Sequence, residues 1–115
     1  MLSIEALRDF GANVDEGLNR CMKNEAFYLR LVGMGLSDKN FGSLEEAVQK
    51  GDAKQAFEAA HALKGALGNL SLTPLYEPIS RLTELVRNSD RIPSEAAPLV
   101  DEIMKKYQEA LALTK

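Results

Sequence analysis

The chain has 115 residues, 45% of them hydrophobic and 27% charged, which suits one domain spanning residues 1–115 around a single core. A net charge of −3 without a basic stripe argues against a nucleic-acid binder, and no apolar stretch approaches the length of a membrane span. The segment Met1-Leu2-Ser3-Ile4-Glu5 lacks the basic and apolar regions of a signal peptide, and Cys21 is alone, so a cytoplasmic protein without an internal disulfide is expected.

Helical patterns run almost throughout. Ser3 is placed to cap a short helix that stops near Gly11, and Asn13 with Glu16 has the spacing of a capping box for a second. Cys21 reads as a small buried hydrophobe. Asn24 opens a segment with Phe27, Leu31 and Met34 at helical spacing, weakened at its end by Gly33 and Gly35. Residues 39 to 50 put Phe41, Leu44 and Val48 on one stripe, with Gly51 as the stop. Asp52 caps the next helix, which runs to about Leu70. Thr73-Pro74 resembles a cap followed by proline at the first helical position, but Pro78 moves the expected start closer to itself. Leu75, Ile79, Leu82 and Val86 then share a face to about Asn88. Ser94 is expected to start the last helix, with Leu99, Ile103, Tyr107 and Leu111 on one stripe. No strand alternation and no repeat is visible. The pattern predicts an all-α, up-down four-helix bundle with one or two short N-terminal capping helices.

The stretch from Asp52 to Leu70, DAKQAFEAAHALKGALGNL, carries the chemistry. At about 100° per residue, Ala56, Ala59, Ala60, Leu63, Leu67 and Leu70 gather on one side. His61, the only histidine, points away from them, with Lys54, Phe57, Lys64, Gly65 and Gly68 on its side. Gly65 and Gly68 lie inside a helix, where each costs roughly 1 kcal/mol relative to alanine. They either open the surface beside His61 to another protein or admit a neighbouring helix. Lys64, at i+3, brings an ammonium beside the imidazole, where it would stabilise a phosphoryl group. Phe57 is either a docking contact or tucks against an adjacent helix. An imidazole titrates near pH 6.5, so it is commonly neutral and nucleophilic at physiological pH. The helix offers no carboxylate cluster for magnesium, so the metal and the acceptor would belong to a partner.

These residues resemble a known family. Ala60-His61-Ala62-Leu63-Lys64-Gly65, followed by Gly68 and Leu70-Ser71-Leu72, looks like the H-x-L-K-G signature of histidine-containing phosphotransfer (Hpt) domains. The resemblance implies a four-helix bundle with its histidine exposed midway along one helix. It implies a cytoplasmic phosphocarrier of a two-component phosphorelay, acting as a monomer between aspartates of response-regulator receiver domains, downstream of a hybrid sensor histidine kinase. It carries no nucleotide chemistry, cofactor, metal, nucleic-acid or membrane partner of its own. On this resemblance His61 is the phosphorylated residue, on Nε2, Lys64 steadies the phosphoryl group, and Gly65 and Gly68 leave steric access. Phe57 and Lys54 are candidates for partner docking. Two positions depart from the pattern. Ser71 stands where many members have glycine. Thr83, by ungapped count, stands where many have a glutamine facing the histidine, and Arg87 one turn further could add positive charge.

Three other readings compete. Glu58-Ala59-Ala60-His61 has the Glu-x-x-His spacing of di-iron bundles, but that motif is needed twice and directed inward. A kinase or phosphatase would want a glycine-rich phosphate loop followed by a strand-helix unit, which is missing. An Hpt-like module that binds a receiver or kinase without transferring is set against the intact His61, Lys64 and Gly65. The Met1 start and the end soon after the last helix favour the expectation of a freestanding carrier, though a domain excised from a longer protein would look the same.

Overall fold

A computed structural model describes all 115 residues, and it is helical without strands. Seven helices follow in order: α1 (Ile4–Phe10), α2 (Val14–Arg20), α3 (Glu25–Leu36), α4 (Asn40–Lys50), α5 (Ala53–Asn69), α6 (Thr73–Val86) and α7 (Ala96–Ala112). Short connections at Gly51–Asp52 and at residues 70–72 make α4, α5 and α6 antiparallel neighbours, and α7 returns against α6. Helices α3 and α4 both pack on the bundle. Gly35 of α3 lies against Leu67 and Leu70 of α5, and Phe41 of α4 stacks on Tyr107 of α7 with centroids 3.8 Å apart. The Tyr107 hydroxyl donates to the Leu36 carbonyl at the end of α3, so one side chain contacts both helices. This is the expected four-helix bundle, with α1 and α2 across one end.

The caps follow from local chemistry. Ser3, Asn13, Asn24 and Asp52 each accept a backbone N–H with the side chain, satisfying one orphan donor at a helix start. Glu16 does not complete a capping box with Asn13. The Asn13 N–H donates instead to the Ser71 carbonyl, and the Glu16 carboxylate accepts from the Ser71 hydroxyl at 2.7 Å.

Three local expectations need correction. In α3 the buried face is Tyr28, Val32 and Leu36, while Phe27 and Met34 are 45% and 61% exposed. Both stripes are apolar, so periodicity does not choose between them. Packing does: the Tyr28 ring passes over Gly17, and its hydroxyl donates to the Leu70 carbonyl. The helix ends at Leu36, one residue past Gly35, and a Cβ on Gly35 would stand 2.6 Å from Leu70 Cδ1, so that glycine also serves close approach. Helix α6 begins at Thr73 and runs through the buried Pro78, with Thr73 inside the helix rather than capping it. Burial of Leu75 on one side of Pro78 and Ile79 and Leu82 on the other holds the helix together despite the lost hydrogen bond. Helix α7 starts at Ala96, because the Ser94 hydroxyl turns to the Glu95 carboxylate instead of capping.

Candidate functional site

Helix α5 buries Ala56, Ala59, Ala60, Leu63 and Leu67 and exposes His61, as its sequence pattern requires. Beside the histidine runs a polar groove of ≈ 620 Å³ whose α5 wall is His61, Lys64, Gly65, Gly68 and Asn69. Tyr76 and Glu77 of α6 form the second wall, and Glu16 and Arg20 of α2 the third. Lys64 is half-buried and belongs to none of the six ion pairs in the chain. Its ammonium is therefore not neutralised by a partner carboxylate.

The two glycines differ. A Cβ on Gly65 would meet nothing within 4 Å. A Cβ on Gly68 would stand 3.1 Å from Cε2 of Tyr76, so the space vacated there is filled by the tyrosine ring. Steric access thus fits Gly65, whereas Gly68 admits a neighbouring helix.

Phe57 stacks on the imidazole of His61, with centroids 5.5 Å apart and planes 13° from parallel. The ring is half-buried against the core edge, so it supports the histidine as well as facing outward. The Arg87 guanidinium lies over the same phenyl ring, 5.0 Å from its centre, and pairs with Glu84 at 2.9 Å. That hydrogen-bonded guanidinium holds the Glu84 carboxyl below the usual carboxylate range against a smaller desolvation effect. The charges of Lys64 and His61 lower it further.

Thr83 is not free to serve the exposed histidine. It is fully buried, and its hydroxyl donates to the Ile79 carbonyl one turn back at 2.7 Å. One residue on, a rotation of about 100° brings Glu84 to the His61 side. Lys54 is exposed two turns before His61 and is not part of the groove.

Ser71 adopts a left-handed conformation, φ 58°, at the end of α5. The Leu72 N–H returns to Leu67 and the Ser71 N–H to Gly68, which is the Schellman pattern that favours glycine at this position. A non-glycine residue there costs roughly 1–2 kcal/mol. Its two hydrogen bonds to α2 offset that cost and fix the third wall of the groove.

Sequence reading missed Arg20, Glu16 and Glu84. Arg20 bonds Asn69 at 3.2 Å across 49 positions, a contact for which no local pattern exists. Glu84 follows Thr83 directly on α6, and nothing in the local pattern singles it out.

No group of three His, Cys, Asp or Glu side chains is placed to hold a metal ion, and no helix is long and apolar enough to cross a membrane. Comparison with protein families gives a match to the Hpt domain over residues 36–112, from the last residue of α3 to the end of α7. Neither the curated proteins nor the solved structures yield a match. With the family match spanning well over half its length, the chain belongs to the Hpt domain family, the helical phosphocarriers of phosphorelays that interact with response-regulator receiver domains.

Proposed function

We propose that this chain takes a phosphoryl group onto His61 from the aspartyl phosphate of one receiver domain and returns it to the aspartate of another. The observation that carries the reading is the exposed His61 on α5, with unpaired Lys64 and open Gly65 in the next turn. A neutral imidazole attacks phosphorus through Nε2. The N–P bond forms as the O–P bond of the acyl phosphate breaks, and the aspartate carboxylate leaves with the electron pair. Donation is the same exchange reversed. Lys64 balances the charge on the phosphoryl group. The space over Gly65 lets the receiver bring its aspartate in line, and the remaining catalysis is positioning. The receiver supplies the acceptor and the magnesium, so the chain acts as a carrier without nucleotide chemistry of its own. It acts as a cytoplasmic monomer, with a hybrid sensor histidine kinase upstream.

A relay assay tests this. The protein is incubated with a phosphorylated receiver, and label transfer is followed. His61→Gln should accept no label above background. Equal uptake by that variant would overturn the assignment. Receiver binding without any uptake by the unmodified chain would make it a pure interaction module.

A further inference from the structure

On the side of His61 opposite the glycines, side chains from two helices are layered. The Arg87 guanidinium of α6 lies over the Phe57 ring of α5, and Phe57 lies nearly parallel to the imidazole. The two spacings laid end to end, 5.0 and 5.5 Å, are an upper bound on the distance from the guanidinium carbon to the imidazole centre. That bound lies at the edge of a Debye length of about 8–10 Å, and the charges of Lys64 and His61 act on the Glu84 carboxylate that pairs with this guanidinium. Arg87 is already engaged. Its Nε donates to Glu84 Oε1 at 3.2 Å and its Nη2 to Oε2 at 2.9 Å.

We propose that Glu84 and Arg87 are a partner-exchanging ion pair that sets the phosphoryl-transfer equilibrium of His61. When the imidazole is phosphorylated, Arg87 turns from Glu84 toward the phosphoryl group, and the released carboxylate raises the free energy of the phosphohistidine.

The inference rests on His61 being the carrier. Its physics is charge balance. A phosphoryl group brings about −1.5 to −2 charges at pH 7 to a histidine whose charge acts on the Glu84 carboxylate. The guanidinium fork matches two oxygens of a phosphate as well as those of a carboxylate, and the more highly charged group competes for it. Phe57 holds the guanidinium near the site in either state through its ring face. Glu84 and Arg87 make and break no covalent bond. They act on the same exchange of an aspartyl O–P bond for an N–P bond, and they are positioning residues. A carboxylate that destabilises phosphohistidine favours onward delivery over storage.

The test uses the full chain with an exchanging receiver and reads the equilibrium ratio of phosphohistidine to phosphoaspartate by their acid and alkali lability. Glu84→Gln keeps a hydrogen-bond acceptor for Arg87 but removes the charge. It should raise the ratio roughly two- to fivefold, the range for exposed charge pairs. Arg87→Met should lower it, and the double variant should return toward the unmodified ratio. Phosphoramidate loading, followed by phosphorus NMR, tests the carrier separately from the receiver. An unmodified chain that loads no better than His61→Gln would remove the carrier reading and this inference together. Normal loading with an unchanged or lowered ratio in Glu84→Gln would overturn the ion-pair exchange alone.

Discussion

Around Gly65 a Cβ would meet nothing within 4 Å, whereas around Gly68, three residues on, it would stand 3.1 Å from Cε2 of Tyr76. The two positions look alike in sequence, being glycines on the His61 side of one helix. Physically they answer different demands. The first lies at a surface kept empty, where nothing within the chain prevents a larger side chain. The second lies at a seam between α5 and α6, where the missing side chain is replaced by an aromatic ring. A glycine without an internal reason is the stronger pointer to an external partner, since it gives up helix stability with no packing in return.

The contrast can be broken in three ways. The largest expected effect is on function: Gly65→Leu should slow transfer to and from a receiver by roughly a hundredfold, as small displacements of a reacting centre do, while the chain stays folded. Unchanged transfer, measured by label uptake, would remove the steric role of Gly65. Next is Gly68→Leu, which should cost about 1–3 kcal/mol in urea unfolding, because its side chain must displace Tyr76. Equal stability of the two leucine variants would erase the distinction between surface and seam. The smallest effect is Gly65→Ala, expected to stabilise the chain by about 0.5–1 kcal/mol because alanine loses less backbone freedom in a helix. A destabilised Gly65→Ala chain would reveal a packing partner for that position.

Helix α3 gives a second lesson about how far a pattern reaches. Phe27, Leu31 and Met34 form a good helical stripe, yet the core takes Tyr28, Val32 and Leu36. Helix α5 was legible where α3 was not, because its two sides differ: alanines and leucines on one, histidine, lysine and glycines on the other. Thr83 and Glu84 show the same limit at the scale of one residue. Thr83 is fully buried and bonded to its own helix, while Glu84, one residue on, pairs with the Arg87 guanidinium that lies over Phe57.

The amino-acid pattern encodes the helices, most of their caps, the outward direction of His61, and the neighbours Lys64 and Gly65 within one turn. Those features depend on spacing along a single helix, and helical geometry converts spacing directly into direction. Packing between helices is what sets Gly68 on Tyr76, ties α2 to the groove through Ser71, and layers Arg87, paired with Glu84, over the Phe57 ring that stacks on the histidine. These are contacts between helices, and they follow from how the helices are rotated and shifted against one another as the core fills. No local pattern in a chain encodes that rotation, because it is set by the volumes of side chains on every helix that meets there.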